Sequence, residues 1–129
     1  MPDDPVYSSG FDDLIGHRVV SASGDEVRST ITITPELLQP GLIVHGGVYA
    51  TVVETTASIG ATLWLDGDGV AVGITNSTDF LRRTEAGVLS VVATPLQRGK
   101  TLQLWQVSVT DDEGRLVAHG RVKLANIRP

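Results

Sequence analysis

Between Gln39 and Leu65 the chain reads QPGLIVHGGVYATVVETTASIGATLWL, and the one charge between His45 and Asp66 is the carboxylate of Glu54. A carboxylate in apolar surroundings is costly unless it is paired, hydrogen-bonded or protonated, so packing alone gives no reason for it. The pattern therefore predicts a buried carboxylate that works. Nine positions earlier, His45-Gly46-Gly47 follows the apolar Leu42-Ile43-Val44 and precedes helix-compatible sequence, which places the two glycines where the chain turns into a helix. Backbone N–H groups at such a terminus lack intrahelical partners and carry partial positive charge, so they suit an oxygen that gains negative charge during a reaction. An acid for proton transfer or attack and a donor for an oxyanion are thus carried on one element.

That element must be held by a small domain. The chain has 129 residues, 41% hydrophobic and 19% charged, with a net charge of −5 and no cysteine. One domain over residues 11–129, after a flexible leader at 1–10, can bury roughly two thirds of its unfolded surface. The acidic balance argues against nucleic-acid or anionic-membrane surfaces as partners. Without cysteine there is no thiolate nucleophile, disulfide framework or Cys-based zinc site. The N-terminal MPDDPVYSSG is acidic and proline-bearing where a signal peptide is basic and then apolar, so a cytoplasmic protein is expected. Residues 46–65 have about the length that spans a bilayer. Their Thr51, Glu54, Thr55, Thr56, Ser58 and Thr62 point instead to a helix packed within a protein.

Around the helix the pattern is β. Residues 11–15 suit a helical turn and 17–21 a strand, and 27–34 alternate with Ile31 and Ile33 on one face. Pro35 ends that strand, and Gln39-Pro40-Gly41 turns the chain toward the helix. Asp66-Gly67-Asp68-Gly69 closes the helix, after which 70–75 and 76–80 are extended and 81–87 connect. Strands at 88–97, 101–110 and 115–127 are joined by the turns Arg98-Gly99-Lys100 and Asp111-Asp112-Glu113-Gly114. The last strand sets Leu116, Ala118, Gly120, Val122 and Leu124 against His119, Arg121 and Lys123 on the other face. The class is α+β. A helix apolar on nearly all sides needs cover on all sides, which a curved antiparallel sheet wrapped around it supplies in part and a second subunit completes.

HGG ahead of the central helix, an acid nine residues beyond the histidine and this strand order resemble the hotdog-fold acyl-CoA thioesterases. Within them the phenylacetate-pathway (PaaI-like) type is the nearer match, in the branch with Glu on the helix typified by bacterial 4-hydroxybenzoyl-CoA thioesterase. The resemblance covers residues 11–127. Its specific part is Gln39, His45-Gly46-Gly47, Glu54 and Ser58, since HGG alone says little.

What the resemblance implies is hydrolysis of an acyl-CoA thioester to the acid and CoA by a homodimer or homotetramer, with CoA as part of the substrate and neither cofactor nor metal. Glu54 is then the nucleophile or general base, and the Gly46 N–H holds the thioester carbonyl. Gln39 stands where a glutamine assists substrate or leaving-group binding. Ser58 replaces the family's threonine, one turn after Glu54 and on its face of the helix. Arg82 matches an arginine that contacts the nucleotide phosphates of CoA. Lys100 and Thr101 match a Ser-Thr pair, with Lys100 departing from it while remaining able to meet a phosphate. Asp79 stands where many relatives are neutral and has no account.

Blander roles are weighed against these. His45 reads first as a hydrogen-bonding shaper of its loop and second as a proton carrier. His17 and His119 read as surface or strand residues, and Trp64, Trp105, Tyr49 and Phe80 as core or interface. Two other functions use the same parts: a hotdog hydratase or dehydratase, with His45 as an essential base, and an acyl-CoA-binding regulator without turnover. The acyl group is not legible, and carrier-protein thioesters stand beside CoA.

Overall fold

The computed structural model describes residues 9–129. The expected leader lies mostly outside them, and its last two positions cap and begin a short helix. Ser9 caps α1 (Gly10–Ile15), its hydroxyl accepting from the Asp12 N–H, and Gly16 ends it in the left-handed region. Strands β1 (His17–Ala22) and β2 (Val27–Ile33) follow, then a 3₁₀ turn at Pro35–Leu37 and helix α2 (Gly46–Trp64). After it come β3 (Val70–Phe80), β4 (Gly87–Arg98), β5 (Leu102–Thr110) and β6 (Leu116–Ile127). The two extended stretches expected at 70–80 form one strand, bulged between Gly73 and Thr75.

The strands build one antiparallel sheet in the order β1-β2-β4-β5-β6-β3. Its concave face closes on α2 with Val27, Ile31, Leu89, Val91, Trp105, Val107, Val122 and Leu124, all fully or almost fully buried. The helix meets them with Val52, Val53, Ala57 and Ala61. At Gly60 the approach is closest: a Cβ there would stand 2.5 Å from the Trp105 ring.

The sheet covers one side of the helix, not all of it. The open stripe runs through Gly47, Thr51, Glu54, Ser58 and Thr62 at three- and four-residue intervals. Glu54 is accordingly exposed in the protomer, which corrects the expectation of a buried carboxylate. The local sequence is apolar because the flanking positions face the sheet, while Glu54 itself does not. On β6, Leu116 is exposed and Val117 buried, reversing the expected face at the strand's start. The pairing of β5 with β6 shifts between Val109 and Thr110 at that end, so the alternation slips there.

His17, expected as a surface or strand residue, opens β1 and is buried at 3% exposure. Its Nδ1 lies 3.0 Å from Asp12 Oδ1 and its Nε2 lies 2.8 Å from Ser29 Oγ. The Ser29 hydroxyl is in turn 3.0 Å from that of Thr56, which donates to the Val52 carbonyl. This chain of polar groups ties α1, β1 and β2 to the middle of α2. A second tie is Gln103, whose amide donates to the Ala61 carbonyl and accepts from the Trp105 indole.

Candidate active site

The start of α2 is shaped by its cap. The His45 ring accepts the Gly47 N–H at Nδ1, 2.8 Å away, and so takes one of the terminal donors. Its bonded Nδ1 puts the proton of the neutral ring on Nε2. None of the described hydrogen bonds engages the Gly46 N–H. Gly46 lines a cavity of about 390 Å³ together with Gln39, Ile43, Tyr49, Phe80, Arg82 and Thr84, among others. Phe80 lies so close over Gly46 that a Cβ would stand 2.6 Å from its ring, so only glycine leaves this backbone open at the present spacing. Gln39 is fixed by its own loop, its Oε1 accepting the Gly41 N–H at 2.7 Å, which turns the amide nitrogen into a free donor.

Tyr49 is 3% exposed, and its ring packs on Phe80 with centroids 5.9 Å apart. Its hydroxyl is buried without a hydrogen-bond partner among the described residues, an arrangement that costs about 1–3 kcal/mol. Burial raises the Tyr49 pKa above its ordinary value. The Thr84 side chain pulls the other way more weakly, without reaching hydrogen-bond geometry.

Glu54 belongs to a different cavity. With Thr55, Ser58, Thr62, Leu63 and Val70 it lines a space of about 370 Å³ on the open stripe. It lies over Gly73 of β3, where an added Cβ would meet its carboxyl carbon at 3.6 Å, an ordinary contact. Glu54 enters no ion pair among the described residues. Ser58 shares its face, as its spacing predicts. Gly46 and Glu54 do not meet, for eight residues of helix set them about 12 Å apart along the axis.

The residues expected to hold phosphate are separated further. The Arg82 N–H bonds the Val117 carbonyl at one end of β6, whereas the Lys100 carbonyl accepts from the Asn126 side chain at the other. From 117 to 126 an extended strand covers about 30 Å. Thr101 lines a third cavity, of about 320 Å³, with Gln97, Gln103 and Lys123. Within the protomer, Gln39, Gly46 and Arg82 therefore lie at one end, and Glu54 and Ser58 toward the end where Lys100 and Thr101 lie.

A family model described as the thioesterase superfamily matches residues 42–118, from the loop before HGG into β6. The chain belongs to that superfamily. This thioesterase is 39% identical over 132 residues to a Mycobacterium tuberculosis protein named provisionally as an esterase, covering 98% of this chain and 94% of that one. The solved structure of that protein matches with a TM-score of 0.92 at 40% identity, over 94% of this chain and 98% of the other. A 1,4-dihydroxy-2-naphthoyl-CoA hydrolase of Listeria monocytogenes is 28% identical over 116 residues, 90% of this chain and 94% of that one. A Haemophilus influenzae structure described as a thioesterase has a TM-score of 0.88 at 26% identity, over 94% and 85% of the two chains. The thioesterase has the hotdog fold of these relatives and is a thioester hydrolase, which sets aside the hydratase and the binder without turnover.

Sequence reasoning missed the unpartnered Tyr49 hydroxyl and the Asp12–His17–Ser29–Thr56 chain. For the latter a signal existed: His17 is in phase with Val19 on β1, and Ser29 with Val27 and Ile31 on β2, all facing inward. Asp79 stands opposite His119 in the β3–β6 register, and nothing in the structure explains its charge. Among the described residues no helix is long and apolar enough to cross a membrane.

Proposed function

We propose that this thioesterase hydrolyses acyl-CoA thioesters at a site completed by two copies of the chain. The carbonyl sits against the Gly46 N–H of one copy, with Gln39 as a second donor, and Glu54 of the other copy faces it. The observation that carries this reading is the free Gly46 N–H at the start of α2, left uncommitted by the His45 cap, on a residue that lines the cavity beside Phe80. A donor there strengthens its interaction as the carbonyl oxygen gains charge, which lowers the barrier more than it tightens ground-state binding.

The pairing of copies follows from what one copy lacks. Gly46 and Glu54 serve the same carbonyl only if a second helix runs antiparallel to the first and offers its Glu54 to the facing Gly46, which a two-fold axis does twice over. The same axis brings Arg82 of one copy toward the Lys100 and Thr101 end of the other. The unpaired edge of β3, with Val70, Val72 and Ile74 about half exposed, is a surface on which two sheets can join. Arg82 and Arg83 at the rim of the Gly46 cavity have no ion-pair partner among the described residues, which suits the phosphates of CoA. The relative named as a CoA hydrolase supports the same substrate class.

In the step itself, a water oxygen adds to the carbonyl carbon as Glu54 takes its proton. The tetrahedral oxyanion then collapses, the C–S bond breaks, and the sulfur leaves as thiolate to be protonated. Glu54 can also add to the carbonyl first and form an anhydride that water opens. In a single turnover in ¹⁸O-water, label entering Glu54 marks the second route, because water that opens the anhydride at the Glu54 carboxyl carbon leaves its oxygen on the protein. The founding test is thiol release from aromatic, short and medium acyl-CoAs by the wild type and by Glu54→Gln. A loss on the order of a hundredfold or more is expected, the scale of one lost acid–base group. Equal release by both proteins would remove Glu54 from the reaction.

A further inference from the structure

One strand touches both Gly46 and Glu54. β3 begins at the Glu54 cavity, where Val70 is part of the wall, and ends at the Gly46 cavity, where Phe80 is. A Cβ added to Gly73 would meet the Glu54 side chain at 3.6 Å, and one added to Gly46 would meet the Phe80 ring at 2.6 Å. Between these two contacts the Asn76 side-chain amide donates to the Ala50 carbonyl, 2.9 Å away. Ala50 is four residues after Gly46 and four before Glu54, so all three lie along one side of α2 with the bond at the midpoint.

A bulge puts Asn76 there. In the pairing with β6, Gly73 stands opposite Leu124 and Thr75 opposite Lys123, so Ile74 is an extra residue and the alternation restarts one place later. Asn76, Thr78 and Phe80 consequently turn toward α2, opposite the buried Val122, Gly120 and Ala118. The Thr78 hydroxyl donates to Asn76 Oδ1 at 2.7 Å, which leaves the amide nitrogen for the Ala50 carbonyl. Gly120 makes room for that hydroxyl, since a Cβ there would stand 2.7 Å from it. Helix geometry already gives the Ala50 carbonyl a partner in the Glu54 N–H, so the Asn76 bond satisfies no orphan group of the helix. What it adds is a fixed place for the turn that carries Glu54.

We propose that Asn76 is a positioning residue for thioester hydrolysis: by holding the 50–54 turn of α2 against β3 it sets where the Glu54 carboxylate stands relative to the Gly46 donor. This deepens the reading given under Proposed function and rests on it for the pairing of the two copies. If Gly46 of each copy faces Glu54 of the other, the two-fold axis passes the helices midway between those positions, at Ala50. The two Asn76 bonds then flank the axis, and a shift of either helix misplaces an acid in one site and a donor in the other.

The test compares the wild type with Asn76→Ala, Thr78→Val and Ser29→Ala on benzoyl-, butyryl- and octanoyl-CoA, with the non-hydrolysable thioether analogues as binding probes. We expect Asn76→Ala to lower kcat roughly tenfold to a hundredfold, the scale of a small misplacement, with KM and the thioether dissociation constants within about twofold of the wild type. Thr78→Val keeps the shape and frees the Asn76 oxygen, so it should lower kcat several-fold, and it decides the question if Asn76→Ala does not fold. Ser29→Ala cuts the hydrogen bond that ties β2 to Thr56 of the same helix, so it should lower the melting temperature and leave kcat intact. Unchanged kcat in Asn76→Ala would overturn the proposal. A loss matched by Ser29→Ala would overturn it too, by tracing the effect to stability, and so would an equal weakening of thioether binding, which would give Asn76 to the substrate pocket. A wild type that releases no thiol sinks the hydrolase reading and the positioning role with it, whereas an active wild type indifferent to Asn76 sinks the positioning role alone.

Discussion

Gly46 and Glu54 stand eight residues apart on one helix, about 12 Å along its axis, and open into separate cavities. A donor and an acid so placed cannot serve one carbonyl from a single chain. Two variants that are each inactive should then restore one another when mixed. Gln39→Ala damages the Gly46 half and Glu54→Gln the other half, so a mixed dimer has one doubly damaged site and one intact site. Random assortment makes half of the dimers mixed, and co-expressed variants should recover about a quarter of wild-type thiol release. No recovery from a preparation shown to contain mixed dimers would place the whole site within one chain.

His45 tests the difference between a cap and a base. Its Nδ1 holds the Gly47 N–H at 2.8 Å, a role that asparagine also fills. His45→Asn should therefore keep kcat within a few-fold and leave the pH profile in place. His45→Ala should lower stability by about 1 kcal/mol, the usual cost of a lost cap, and disturb the neighbouring Gly46 N–H. A collapse of kcat in His45→Asn with unchanged stability would show that the imidazole moves a proton.

Gly60 is a point of close approach between α2 and the sheet. A Cβ there would stand 2.5 Å from the Trp105 ring, and Trp105 is fully buried with its indole N–H held by Gln103. Neither partner can move without breaking that bond or shifting the helix. Gly60→Ala should cost about 1–3 kcal/mol of unfolding free energy despite alanine's better helix propensity, measured by urea titration. Gain of stability would mean that the helix lifts freely, and with it the spacing of the site.

The fold was legible because its signals are local and repeated. Alternation marks β2 and β6, Asp111 to Gly114 marks the hairpin between β5 and β6, and the apolar run after His45 marks α2. The HGG loop and Glu54 were legible as parts, and so was the face shared by Glu54 and Ser58. Their distance apart was readable too, for it is only the rise of a helix. What composition hid was which side of α2 the sheet would cover, because Val48, Ala50 and Ala57 look alike until the strands are laid down. Glu54 was for that reason expected to be buried. The inward turn of His17 was hidden by its type: its place on a strand was readable, but a histidine there gives no sign of facing inward until its partners, Asp12 five residues before it and Ser29 twelve after, are brought beside it.

Those partners give the fold a pH dependence with a definite sign. Burial is the largest influence on His17 and lowers its pKa below the ordinary value of 6.5, against a smaller upward pull from Asp12. The folded protein thus holds the ring neutral where the unfolded chain, with a pKa near 6.5, has begun to bind a proton. Between the two pKa values the unfolded state binds more protons, so stability rises with pH. The contribution is complete above about pH 6.5 and is lost as the pH falls below it toward the lowered value. Denaturant midpoints measured from pH 7.5 down to pH 5 should fall more steeply for the wild type than for His17→Gln, which cannot titrate. The variant should be the less stable protein at pH 7.5, with the gap narrowing as the pH drops. Parallel curves would show that His17 gains its proton equally well folded and unfolded, and that the bond to Asp12 offsets burial.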